Sequence, residues 1–164
     1  MLSGPPDRFM ELEPLNYQFP GEVDNDWDGN WLMVRISAAD QARHWSAADP
    51  AFLTWELRLL CRWLRSVADS SAGDDAVFTG IEPCLQFERQ GLGAEARIRA
   101  FFGQEYTPPG MDRTSDPYEI DFTPGIEGML SFADDLERSL ARFPIRVLEI
   151  DGVAKHYVRE LEDA

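Results

Sequence analysis

The sequence predicts an α+β domain: a single antiparallel β-sheet, meander-like and of about six or seven strands, carrying two main amphipathic helices. Three observations lead there. Short segments that alternate apolar and polar residues are separated by turn residues, as half-buried antiparallel strands require. Two longer segments carry apolar residues at helical spacing, and each opens on an Asp-Pro or Thr-Pro pair. The 164 residues, 44% hydrophobic and 12% aromatic, suffice for one domain with its own core.

Along the chain, residues 1–14 read as an N-terminal lead-in, 15–146 as the α+β body and 147–164 as a C-terminal extension. Gly4, Pro5, Pro6 and Pro14 punctuate the lead-in, whose Phe9, Met10 and Leu12 can dock on the body. The acidic stretch Asp24-Asn25-Asp26-Trp27-Asp28-Gly29 follows, and it matches the first half of a calcium loop. Position 12 of that loop would be Arg35, a cation where the strongest ligand belongs, and the flanks read as strands where helices are needed. The stretch is therefore expected to be an acidic turn, with Asp28-Gly29 making the bend and Asn30 bonding locally to the backbone.

Trp31 to Ser37 is the next strand, with Gln41 to Ala47 as its hairpin partner across Ala38-Ala39-Asp40. Asp49-Pro50 predicts a helix start, since Asp49 can accept from first-turn amides and Pro50 lacks a donor where none is needed. Leu53, Leu57, Leu60, Leu64 and Val67 recur at helical spacing, and Phe52, Trp55, Leu59 and Trp63 widen the apolar sector, so this helix is covered on most sides. Strands are expected at Val77–Ile81, Cys84–Arg89, Ala94–Phe102 and Tyr118–Phe122, the last two alternating wet and dry residues. Thr123-Pro124 opens the second helix, with Ile126, Leu130, Ala133, Leu136, Leu140 and Phe143 on its apolar side. The segment 145–158 suits either a hairpin across Asp151-Gly152 or a short helix.

Charge narrows the function classes. Thirty acids against fifteen bases give a net charge of -15, which disfavours direct contact with nucleic acid or anionic membranes and favours a basic partner. The same acidity also serves solubility alone. No phosphate-cradling Gly loop, nucleophile elbow or CxxC occurs, and no metal site or cofactor is expected. Cys61 and Cys84 read as reduced core residues, and the lack of a signal segment points to the cytoplasm. Catalysis would have to rest on strand-borne carboxylates such as Glu82, Glu88, Glu119 and Asp121, the runner-up reading being a carboxylate-based hydrolase or small-ligand-binding protein on the same sheet. Acidic clusters set around an aromatic suit a cationic protein partner better, and the candidate contacts are Asp24, Asp26, Trp27, Asp28, Asp134 and Asp135. Trp27 serves equally well folded back on the sheet.

Four segments in order, Tyr17-Gln18-Phe19-Pro20, Asp26-Trp27-Asp28-Gly29-Asn30-Trp31-Leu32-Met33-Val34, Asp49-Pro50-Ala51-Phe52-Leu53-Thr54 and Glu82-Pro83-Cys84-Leu85-Gln86-Phe87, resemble the WapI family of bacterial immunity proteins. The resemblance covers about residues 15–146 and implies a cytosolic, non-catalytic antidote. Such an antidote binds the C-terminal toxin domain of a contact-delivered polymorphic toxin, the founding toxin being a tRNase. It transfers no toxin-binding residues. A cognate basic toxin domain is the expected partner, with neither nucleic acid nor membrane bound directly.

Overall fold

The computed structural model describes residues 1–4, 7–21, 28–73, 76–91 and 97–146. In chain order the elements are β1 (Leu2–Gly4), β2 (Arg8–Tyr17), β3 (Trp31–Ala39), β4 (His44–Leu53), α1 (Thr54–Ala68), β5 (Val77–Thr79), β6 (Leu85–Gln90), β7 (Arg97–Phe102), β8 (Tyr118–Phe122) and α2 (Gly125–Leu140). The α+β class holds, but the expected single sheet does not. There are two antiparallel sheets of four strands each, ordered β1-β2-β3-β4 and β5-β6-β7-β8.

The break between the sheets has a local cause. At the end of β4 the chain turns directly into α1, and the flank of β4 is met by the turn Gln104–Tyr106. Trp45 Nε1 donates to Tyr106 O at 3.0 Å, and the Tyr106 hydroxyl donates to Val34 O at 2.8 Å. Tyr106 is wholly buried, and burial raises its pKa. Alternation fixes which face of each strand is dry but says nothing about which strand is its neighbour.

The opening residues are also part of the sheet rather than a lead-in. Met10, Leu12, Pro14 and Tyr17 are buried, with exposed Glu11 and Glu13 between them, which is the signature of a strand with one wet face. On that wet face Arg35, the residue that spoiled the calcium pattern, donates to Glu13 at 2.9 Å. β1 lies so close to the end of β8 that a Cβ on Gly4 would stand 3.3 Å from Phe122 Cα and Thr123 N.

One apolar core joins both sheets and both helices. Trp45 meets Phe102 edge-on at 5.2 Å, and Phe52 lies 6.3 Å from Phe78, so the dry faces of the two sheets contact each other. Trp63 of α1 lies 6.4 Å from Phe78 and 6.2 Å from Phe87, which places α1 on the second sheet. α2 lies beside α1 and against β1 and β2.

The start of α1 differs from expectation, whereas α2 begins at Gly125, directly after Thr123-Pro124. Asp49 and Pro50 belong to β4, and α1 begins at Thr54. The cap comes from within the helix, because buried Glu56 accepts from Leu53 N–H at 2.8 Å. Its other oxygen accepts from Ile81 N–H at 2.7 Å, tying the start of α1 to the loop after β5. The apolar side of α2 is rotated from the expected stripe. Met129, Phe132, Ala133, Leu136 and Leu140 are buried, whereas Ile126 and Leu130 remain 42% and 38% exposed. α1 runs antiparallel to α2, with Arg58 reaching Leu140 O and Phe143 O while Arg65 pairs with Asp134 and Glu137. Cover from α1 therefore thins toward the start of α2.

Cys61 and Cys84 are free and buried, and burial pushes each thiol up to about 12. Among the described residues no helix is long and apolar enough to cross a membrane. The expected hairpin or short helix over 145–158 lies outside the described residues from 147 onward.

Candidate functional site

Two bulges lie at one end of the first sheet, beside an acidic cleft. In β2 the register skips Leu15, and in β4 it skips Ala51. An extra residue bends its strand and re-aims the side chains beyond it. Tyr17 lies just past the β2 bulge and the run Asp49-Pro50 just before the β4 bulge, and β3 begins between the two strand ends at Trp31. The pairing of the two ends extends one step past β2, with Gln18 N donating to Trp31 O at 2.8 Å.

Beside this end lies an open cleft of about 440 Å³ lined by Gln18, Trp31, Asp49, Pro50, Glu82, Gln104 and Glu105. Three carboxylates and, among the described residues, no base line it. Burial raises the pKa of Asp49, and the nearby charges of Glu105 and Glu82 raise it further. Arg113 offsets this weakly from a distance of 3.9 Å to Glu105. Gln104 holds a left-handed backbone at φ 51°, an uncommon conformation for a residue with a side chain, so the turn that delivers Glu105 is tightly set. The cleft thus combines an excess of negative charge, only partly offset by Arg113, with the half-buried indole of Trp31, a combination that suits a cationic group and offers it an aromatic face.

The candidate contacts read from the sequence are placed differently. Asp28 is exposed and opens the turn Asp28–Asn30 next to the cleft end of β3. Asp24, Asp26 and Trp27 lie outside the described residues. Asp134 is exposed but already paired with Arg65 at 2.8 Å, and Asp135 is paired with Arg138 and lies 3.8 Å from the N-terminal amine. These two acids are therefore partly neutralised, and they sit on α2 away from the cleft residues.

Asn30 does not bond locally. It is wholly buried, and its Oδ1 accepts from Thr54 Oγ1 at 2.9 Å and from Arg146 N at 2.8 Å. One side chain thereby joins the acidic turn, the start of α1 and the end of the described chain.

The strand-borne acids of the runner-up reading do not converge. Glu119 and Asp121 both pair with Arg99, at 3.2 and 2.7 Å, and that pairing holds the Asp121 carboxyl below its ordinary value. Glu88 stands opposite Arg99 on the neighbouring strand. Only Glu82 of that set reaches the acidic cleft.

Sequence reasoning missed Asp49, Glu105, Gln18 and Trp31 as a group. A signal existed nonetheless. Gln18, Trp31, Asp49 with Pro50, and Glu82 come one from each of the four segments on which the family resemblance rests, and the fold brings them to one cleft. In comparison with known proteins, residues 1–144 match the model of the immunity protein WapI-like family. No curated protein and no solved structure matches the chain.

Proposed function

Since the chain belongs to the WapI-like immunity protein family, we propose that it is a non-catalytic cytoplasmic antidote that neutralises a cognate toxin domain by binding it through an acidic surface. The observation that carries the choice of surface is the cleft of Asp49, Glu82 and Glu105 beside Trp31, where three carboxylates are met only by Arg113 at its rim, 3.9 Å from Glu105, among the described residues. A basic toxin face fits it: the net charge of -15 speeds encounter, and a lysine or arginine entering the cleft relieves the repulsion that raises the Asp49 pKa. A nuclease is the toxin class with the required charge, because a cleft that binds phosphates also accepts an acidic inhibitor. Exposed Asp28, with Asp24, Asp26 and Trp27 in the same stretch, extends the proposed contact, whereas Asp134 and Asp135 contribute less because they are already paired.

The test is binding and protection with the toxin domain encoded beside this gene. The wild-type protein is expected to form a stoichiometric complex that weakens with salt, and Asp49→Asn with Glu82→Gln to raise Kd at least tenfold, about 1.4 kcal/mol. A wild-type protein that neither binds nor protects would reject the reading. The same desolvated Asp49 gives the runner-up, a carboxylate-based hydrolase or small-ligand site, its one foothold. Protection that survives Asp49→Asn while a hydrolytic activity disappears would favour it.

A further inference from the structure

Arg146 stands outside the acidic cleft and two residues past the end of the family match, yet it grips the backbone from which one wall of the cleft is built. Its Nη1 donates to Phe19 O at 2.8 Å and to Gly29 O at 3.3 Å, and its Nη2 donates to Pro20 O at 3.1 Å. The guanidinium carbon lies 3.4 Å from the centroid of the Tyr17 ring, and the Tyr17 hydroxyl donates to Pro144 O. The Arg146 backbone N–H donates to Asn30 Oδ1. These carbonyls belong to both sides of one neck, where the chain leaves β2 and returns into β3. The backbone bond from Gln18 to Trp31 closes that neck, and both residues line the cleft.

A planar guanidinium presents five donors in a fixed fork and stacks on an aromatic face at the same time. It can therefore hold three carbonyls in set positions while lying flat on Tyr17, which an ammonium on a flexible stem cannot do. We infer that Arg146 is a positioning residue, a clamp across the Phe19, Pro20 and Gly29 carbonyls that fixes Gln18 and Trp31 and so shapes the wall of the cleft for a cationic toxin face. The role in docking rests on the proposed reading of the cleft; the clamp itself does not.

The experiment uses the full chain with Arg146→Ala and Arg146→Lys, and Arg142→Ala as a charge-matched control whose guanidinium reaches Ser139 O, Pro14 O in β2 and the Phe143 ring but none of the three clamped carbonyls. Hydrogen exchange of the free protein is read at the Gln18 amide and across Gly29–Trp31, and toxin binding is read as off-rate. Arg146→Ala is expected to speed exchange at the neck at least tenfold while leaving the Ile36–Ala47 pairing unchanged, and to speed toxin release about tenfold. Arg146→Lys should show part of both effects and Arg142→Ala less than a twofold change in either. If the alanine variant does not fold, the lysine variant carries the test. Unchanged exchange at the neck would overturn the clamp. Faster exchange with an unchanged off-rate would overturn its role in positioning. A wild-type chain that fails to bind toxin would reject the immunity reading and the docking role with it, while exchange still decides the clamp.

Discussion

The first half of the molecule, β1 to α1, and the second, β5 to α2, follow the same order: four antiparallel strands in a meander, then a helix. The sequence shows no internal repeat, and the halves differ in how they are made. β2, β3 and β4 run nine or ten residues and carry two bulges, whereas the strands of the second sheet have three to six residues. α1 is covered on most sides, and α2 shows half its surface to water. The helices are also exchanged: α1 lays Trp63 on Phe78 and Phe87 of the second sheet, and α2 lies against β1 and β2 of the first. Each half thus supplies the apolar cover of the other. The long bulged strands of the first half bring Gln18, Trp31, Asp49 and Pro50 to the cleft, while the loops of the second half add Glu82, Gln104 and Glu105.

Separating the halves should break this comparison most completely. Fragments 1–73 and 76–146 each leave a helix without its sheet, and neither is expected to melt cooperatively by circular dichroism. A first fragment that unfolds cooperatively near the full-length midpoint would show that the halves are independent.

Truncations in the two helices sharpen it next. Leu60→Ala in α1 removes a wholly buried side chain and is expected to cost about 2–5 kcal/mol in urea unfolding. Leu130→Ala, 38% exposed on α2, should stay within about 0.5 kcal/mol. Equal costs would mean that α2 is as deeply seated as α1.

The smallest effect is one of sign. Glu56, buried in the first half, has its pKa raised by desolvation above the ordinary 4.5, against the pull of its two amide donors. Its stabilising share is complete below the unfolded value and is lost as pH rises through the raised folded value. Asp121, in the second half, has its pKa lowered by the Arg99 hydrogen bond below the ordinary 3.8. Its share is present above the unfolded value and is lost as pH falls through the lowered one. Glu56→Gln, which costs about 1 kcal/mol near neutrality by leaving an amide donor facing an amide donor, should therefore differ from wild type most in acid. Asp121→Asn should differ least in acid. Urea midpoints between pH 3 and 7 measure both trends, and parallel curves would contradict the opposite environments.

Much of this was legible locally. Tyr118–Phe122 is a strand with the bounds expected from its alternation, and the apolar residues of α1 are buried as their spacing requires. Asp49-Pro50 misled because a cap-like pair is only an offer. Glu56 reaches back to Leu53 and captures the helix start four residues later, leaving Asp49 free for the cleft. The opening fourteen residues misled because their prolines mask an alternation that β3 completes through pairing.

By itself the sequence determined the α+β class, the dry face of α1 and of strands such as β8, the acidity and the resemblance to an immunity family, because periodicity and charge are local properties of the chain. Only the tertiary structure decided that there are two sheets, that the helices are exchanged, and that Gln18, Trp31, Asp49, Glu82 and Glu105 share one cleft. The physical reason is that an alternating strand specifies a face and leaves its edges open. Which edge is filled, and which distant carboxylates are thereby forced together, depends on packing that no short stretch of sequence contains.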